Sequence, residues 1–392
     1  MREDLTLCVR EYETLETDKL TRSQAQLLAD KFGRYLTVQP SWGGGYTLRA
    51  EHYVGVIALD GLRILIQPKV PLDNLFFMLT YAYDLPEFRR EETDLTIAAD
   101  LFEFIVDIFA RQIDELIRRG IHRAYVDREE NDRFLRGRLL VAEHLRHNRI
   151  LQDQIYQQRN DYTEDVLENQ ILRHTLALLS RQHYREESLR PRLRRAHSAF
   201  ATVQPVAISP GDCDRVHYSR LNERYRSRVN LARLLLQHLS LEGQAGDQRF
   251  FAFLFDMNQI FELYVARYLK ESFAAHPTLD IEIQPTIWLD TTQKERARPD
   301  LILRRNCQRV LIMDTKYKRF DGAPAADDIH QMIAYCHSMN VARSLLIYAD
   351  PHPPDYRRDF HGIHLHVLSL PLHGELSLLR QHSQEMFSQL PF

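Results

Sequence analysis

The sequence predicts an α+β protein of several domains: a small β-rich N-terminal domain, a mainly helical middle region and a C-terminal α/β domain with a central mixed sheet. Three observations predict it. At 392 residues the chain exceeds the roughly 100 to 200 residues of a typical domain. Its apolar pattern changes period, from strand-like runs to helical spacing after Leu72, and then to strands alternating with helices in the last third. Glycine and proline punctuate the changes. The domains are accordingly drawn at 1–75, 76–245 and 246–392, with the last boundary in GDQRFFAF near Gly246.

In the first segment Tyr53, Val54, Val56, Ile57 and Leu59 lead into Asp60-Gly61, and Leu62, Ile64 and Ile66 return. Asp-Gly readily takes the positive dihedrals of a two-residue turn, so a hairpin in a small sheet or barrel is predicted. Pro68 and Pro71 end it, because proline donates no ladder hydrogen bond. Gly43, Gly44 and Gly45 read as a turn, since no lysine or helix start follows as a phosphate-binding loop requires.

The middle region opens on an amphipathic helix. Leu101, Phe104, Ile105, Ile108, Phe109, Leu116 and Ile117 recur at helical spacing, and Gly120 is placed to stop it. A second helix is predicted in DVLENQILRHTLALLSRQHY, followed by the Arg-rich stretches RPRLRRAH and SRLNERYRSRVNLARLLLQHL. Such helices are either solvated faces or phosphate-tracking surfaces. In the last third the order is helix (DMNQIFELYVARYLKESF), strands (IEIQPTIWL, RPDLILR, RVLIMDTKYKRF), helix (DDIHQMIAYCHSM) and strand (SLLIYA), the pattern of an α/β domain.

Composition excludes several classes. Hydrophobic residues make up 44% and charged residues 27% of the chain, and no segment approaches the roughly 20 apolar residues of a membrane span. The first residues lack the apolar run of a secretory signal, so a cytoplasmic protein is expected. Cys8, Cys213, Cys307 and Cys336 are scattered without metal-ligand spacing and read as reduced thiols. A net charge of −3 argues against coating nucleic acid by bulk charge, so any such surface must be local.

The chemistry lies in RPDLILRRNCQRVLIMDTKYK. Arg305 to Gln308 form a polar turn between two strand runs, which brings Asp300 near Asp314. Alternation points Asp314 and Lys316 to one face and Thr315 to the other, with Lys318 one step further along. Two carboxylates beside a lysine at the end of a buried strand offer hard oxygen ligands for Mg²⁺ and a cationic partner. Phosphodiester hydrolysis needs that set: a metal to neutralise phosphate charge and activate water, and a lysine to position the nucleophile or stabilise developing charge. Upstream, Glu262 is either an exposed helical carboxylate or a further ligand facing the sheet. Downstream, Gln331 and Tyr335 sit four apart on one helical face, where they either line the surface or fix the lysine or a phosphate.

Taken together, Glu262, Pro299-Asp300, Asp314-Thr315-Lys316 and the Gln331 to Tyr335 helix resemble the ordered signature of the PD-(D/E)xK nuclease superfamily, including the Gln-and-Tyr helix of its RecB-like branch. YVGVIALDGLRILIQPKVPLDNLFFMLTYAYDL resembles the N-terminal hallmark of the McrC family, and FLRGRLLVAEHLRHN and YTEDVLENQIL resemble its Arg-Gly and Asp-x-x-x-Asn patterns. The resemblance covers most of the chain. It implies a C-terminal PD-(D/E)xK endonuclease domain with Asp300, Asp314, Lys316 and Glu262 catalytic, Gln331 and Tyr335 supporting, and Mg²⁺ or Mn²⁺ held by Asp300, Asp314, Glu262 and Thr315. It also implies the nuclease subunit of a modification-dependent restriction system, cutting double-stranded DNA with modified bases beside a hexameric McrB-like AAA+ GTPase. In that family the N-terminal part docks onto the hexamer and promotes GTP hydrolysis. The chain itself has no G-x-x-x-x-G-K-[ST] loop, so GTP would enter only through the partner. The alternatives are a stand-alone repair or defence nuclease and a non-catalytic adaptor that activates an NTPase.

Overall fold

The structure is a computed structural model that describes residues 5–85, 101–149, 153–239, 243–245, 248–274, 276–350 and 356–390. The chain divides into two compact units, one of Met1–Asp100 with His238–Phe392 and one of Leu101–Gln237.

The first unit begins with β1 (Leu5–Arg10), β2 (Thr14–Thr17), α1 (Arg22–Phe32), β3 (Leu36–Pro40), β4 (Tyr46–Ala50), β5 (Tyr53–Leu59), β6 (Leu62–Gln67) and α2 (Leu72–Tyr83). The hairpin predicted about Asp60-Gly61 is β5–β6, with Gly61 at φ +74. Helix α1 was not foreseen, although Thr21 and Gln24 form the reciprocal capping box that marks a helix start. Its Leu28 and Phe32 are fully buried against Ile57, Leu62 and Ile64 of the hairpin.

The second unit holds α3 (Leu101–Arg118), β7 (Ala124–Asp132), β8 (Arg138–Leu139), α4 (Val141–His147), β9 (Ile155–Thr163), α5 (Leu167–Leu179), α6 (Leu189–Ala199) and most of α7 (Arg226–His238). The middle region is helical as expected, with a three-stranded antiparallel sheet added. Sequence reading missed that sheet because β7 and β9 are rich in Asp, Asn, Glu and Gln, residues with little strand preference. Several arginines of the helices are held in ion pairs: Arg192 bonds Asp107 and Asp114 at 2.9 and 2.6 Å, and Arg228 bonds Glu115 at 2.8 Å. The Arg-Gly pattern has a packing reason. The amides of Arg136 and Gly137 both donate to Oε1 of the fully buried Gln157, at 2.6 and 2.8 Å, and a Cβ on Gly137 would lie 2.2 Å from the carbonyl oxygen of Gln158. The Asp-x-x-x-Asn pattern is likewise structural, since Asn169 Nδ2 donates to the carbonyls of His122 and Glu164 at 2.9 and 2.6 Å.

The chain then returns to the first unit with β10 (Gly243–Ala245), β11 (Gln248–Asp256), α8 (Met257–Phe273), β12 (Leu279–Ile283), β13 (Ile287–Trp288), β14 (Arg296–Ala297), β15 (Leu301–Arg305), β16 (Gln308–Lys316), α9 (Ala326–Met339), β17 (Arg343–Tyr348), β18 (Tyr356–Phe360), β19 (Ile363–Ser369) and α10 (Leu376–Ser388). Strand β11 pairs antiparallel with β5, which completes a sheet ordered β1-β6-β5-β11-β10. The run IEIQPTIWL is two strands, β12 and β13, because Gln284 turns to φ +47 and Pro285 supplies no donor. Among the described residues no helix is long and apolar enough to cross a membrane.

The expected mixed sheet is ordered β12-β15-β16-β17-β19-β18, antiparallel from β12 to β16, parallel from β16 to β19, and antiparallel again at β18. Alternation along β16 sends Ile312, Asp314 and Lys316 to one face and Leu311, Met313 and Thr315 to the other. Helix α9 covers the first face, where Met332, Tyr335 and Cys336 join Ile312, Leu346 and Tyr348 in one apolar cluster. Helix α8 packs against β12 and β16 without sharing in that cluster, so it covers the opposite face.

Just past β16, Tyr317 is pinned from the N-terminal side. It is 2% exposed and donates its hydroxyl to Glu11 Oε1 at 2.8 Å, an oxygen that also accepts from the Lys69 amide at 2.7 Å. Burial pushes the Glu11 carboxyl above its ordinary value, so each donor to it matters. Tyr317→Phe is expected to destabilise the protein by about 1 to 3 kcal/mol, the cost of leaving a buried acceptor short of a donor. A lowered denaturant midpoint at unchanged m checks this, and an unchanged midpoint rejects it.

Candidate active site

Strands β15 and β16 are joined by a tight turn in which Asn306 and Cys307 take φ of +49 and +66. The ladder pairs Leu301 with Met313 and ends there, which leaves Asp300 beside the last residues of β16. Oδ2 of Asp300 accepts from the amide and the hydroxyl of Thr315, both at 2.7 Å. Thr315 points away from Asp314, as alternation predicts, and both its donors support Asp300.

Asp314 is 3% exposed and its Oδ2 lies 2.7 Å from Lys316 Nζ. That ammonium also donates to Gln331 Oε1 at 3.2 Å, and Gln331 Nε2 donates to the Tyr335 hydroxyl at 2.8 Å, which fixes the orientation of the amide. The pair expected four apart on α9 therefore faces Lys316. Glu262 of α8 is turned inward and takes a hydrogen bond from Gln284, whose side-chain oxygen accepts in turn from Arg298. Its charge is near enough to raise the Asp300 carboxyl. The structure thus links Asp314, Lys316, Gln331 and Tyr335 through direct bonds, sets Asp300 beside them on Thr315, and brings in Glu262 through the field it exerts.

Burial pushes both Asp300 and Asp314 up to about 6; the neighbouring Glu262 adds to the rise at Asp300, and Asp300 adds to it at Asp314. Burial also raises Glu262. Lys316 is held above the ordinary lysine value because the attraction of Asp314 and Asp328 outweighs its own loss of solvent. The site is a buried group of carboxylates closed on one side by the Lys316 ammonium.

Two contributors escaped sequence reading. Gln284 holds Glu262 and donates its amide to the Asp300 carbonyl at 2.7 Å. Asp328, 8% exposed, lies with Oδ1 3.3 Å from Lys316 Nζ and Oδ2 2.7 Å from Lys318 Nζ. Its place three residues before Gln331, on the same helical face, is the one sign the sequence carries. Lys318 does not lie, as alternation predicted, one step further along the strand. The strand ends at Lys316, and the chain turns so that Lys318 reaches Asp328.

Comparison with known proteins follows this architecture. Residues 48–349 match the family model described as McrBC 5-methylcytosine restriction system component. The type IV methyl-directed restriction enzyme EcoKMcrBC of Escherichia coli strain K12 is 20% identical over 346 residues, which is 82% of this chain and 99% of that protein. A solved half-complex from a tetradecameric assembly of Thermococcus gammatolerans McrB AAA+ hexamers with bound McrC contains a chain of like fold, with TM-score 0.61, 20% identity, and coverage of 98% of this chain and 100% of that one. The cryo-EM structure of the Thermococcus gammatolerans McrBC complex is similar over 68% of this chain and 87% of its own, at 23% identity and TM-score 0.45.

Proposed function

The chain belongs to the family of McrBC 5-methylcytosine restriction system components, and on that premise we propose that it is the DNA-cutting subunit of such a system. Its last third is a PD-(D/E)xK endonuclease domain in this reading, and it works beside a hexameric McrB-like AAA+ GTPase on double-stranded DNA with modified cytosine. The observation that carries the proposal is the meeting of Asp300, Asp314 and Lys316 at the ends of β15 and β16.

The donor set fits a hard divalent cation. Two carboxyl groups that burial holds above their ordinary range, with Asp300 adding to the rise at Asp314, gain most from a cation between them, and their oxygens suit Mg²⁺ or Mn²⁺. Among the described residues no group of three or more His, Cys, Asp and Glu closes around an ion by itself. Mg²⁺ is commonly held by one or two carboxylates and completed by waters and phosphate oxygens. Asp300 and Asp314 would hold the ion and Glu262 would lend charge behind them. Thr315 fixes Asp300, because its amide and hydroxyl donate to that carboxylate. When bound, the cation neutralises phosphate charge and lowers the pKa of water.

The chain's own residues do the rest. Hydrolysis places the hydroxyl of water on phosphorus and sends the proton to the leaving oxygen, while negative charge gathers on the phosphoryl oxygens. Lys316 presents its ammonium to that charge or to the attacking water, aligned by Gln331 and, through it, by Tyr335. Asp314→Ala is the direct test, assayed on cytosine-methylated duplex DNA with the cognate AAA+ protein, GTP and Mg²⁺. Loss of cutting with retained stimulation of GTP hydrolysis is expected. Undiminished cutting would place the chemistry elsewhere, and cutting by wild type without partner or nucleotide would favour a stand-alone nuclease.

A further inference from the structure

Resting on that reading, we propose that Asp328 is a positioning residue that holds Lys316 in place when a divalent cation engages Asp314. Lys316 Nζ and a cation compete for the same carboxylate. The ammonium sits 2.7 Å from Asp314 Oδ2, and two positive charges on one carboxylate repel. A lysine with no other anchor would either exclude the ion or leave the site.

Asp328 supplies the other anchor. Its Oδ1 is already 3.3 Å from Lys316 Nζ, and Gln331 Oε1 accepts from the same nitrogen at 3.2 Å. Lys316 can therefore give up Asp314 without travelling. Asp328 is itself fixed: Oδ2 accepts from Lys318 Nζ at 2.7 Å and from the Tyr348 hydroxyl at 3.0 Å, and the residue is buried at the start of α9. Lys318 and Tyr348 both bond Oδ2, which leaves Oδ1 to Lys316. A carboxylate with this placement has little part in the apolar packing of α9 and directly controls where the ammonium rests.

The test is Mn²⁺ binding by the full chain, with no DNA, followed by the paramagnetic resonance of free Mn²⁺. Asp328→Asn is expected to weaken Mn²⁺ binding about tenfold, because Lys316 then stays on Asp314. Tyr348→Phe, which loosens Asp328 while keeping its charge, should weaken it in the same direction by less, and it stands in if the Asn variant does not fold. The decisive comparison is the double variant Lys316→Met with Asp328→Asn. With no ammonium left to compete, it should bind Mn²⁺ as well as Lys316→Met alone. Equal weakening by Asp328→Asn with and without Lys316 would mean that Asp328 acts on the site by another route and would overturn the proposal. So would unchanged affinity in Asp328→Asn. If the wild type takes up no Mn²⁺ at all, the nuclease reading itself fails and this inference falls with it.

Discussion

Lys316→Ala is expected to lower DNA cleavage by about 100- to 1,000-fold, the typical effect of removing one preorganised charge from a developing anion. The change spares Asp300 and Asp314 and removes only the ammonium that bonds Asp314, Asp328 and Gln331. The loss should appear in the rate of strand scission measured under saturating DNA. DNA affinity and stimulation of the partner's GTP hydrolysis rest on other surfaces and should change little. Mn²⁺ affinity of this variant should hold or rise, since its competitor for Asp314 is gone. That combination, slow cutting with intact metal binding, separates a lost catalytic charge from a collapsed site. Normal cutting by Lys316→Ala would leave the carboxylates as a structural feature and favour the adaptor reading.

What could be read from sequence here depended on distance along the chain. Asp300 and Asp314 were legible because a short hairpin joins them, and local turn chemistry governs such hairpins. Gln331 and Tyr335 were legible as an i,i+4 pair, although their target was open until α9 was seen to lie on the Asp314 face of the sheet. Glu262 was ambiguous for a physical reason: helix periodicity gives its face, but only the packing of α8 on β16 decides that this face turns inward, near enough to act on Asp300. Contacts made across the fold left no trace. Glu11 reaches Tyr317 across 306 positions, and β11 reaches β5 after the whole second unit has intervened. The strands β7 and β9 were hidden differently, since their pairing rests on backbone bonds and an ion-paired surface rather than on an apolar stripe.

The other large effect expected is a reversal in stability between metal-free and metal-loaded protein. Burial and the neighbouring Asp300 push the Asp314 carboxyl up to about 6 in the folded chain, above the ordinary carboxylate value it would have unfolded. Between about pH 4 and 6 the folded state therefore binds more protons than the unfolded state, so stability falls as pH rises through that window and the penalty is complete above it. The size is on the order of 3 kcal/mol, roughly two units at about 1.4 kcal/mol per unit. The figure already includes the favourable pull of Lys316, because the raised value is the net of burial and Asp300 against that ammonium. Asp314→Asn keeps the shape and removes the charge. Without metal at pH 8 it should melt higher than the wild type, and the difference should vanish near pH 4. Added Mg²⁺ or Mn²⁺ should reverse the order, since a ligand at 100 times its Kd stabilises a binding-competent protein by about 2.7 kcal/mol and leaves a variant with a broken site nearly unmoved. Melting curves of both proteins, with chelator and with cation, decide the matter. If Asp314→Asn melts lower in chelator at pH 8, the carboxylates do not repel as described. If the cation raises both proteins equally, Asp314 is not its ligand.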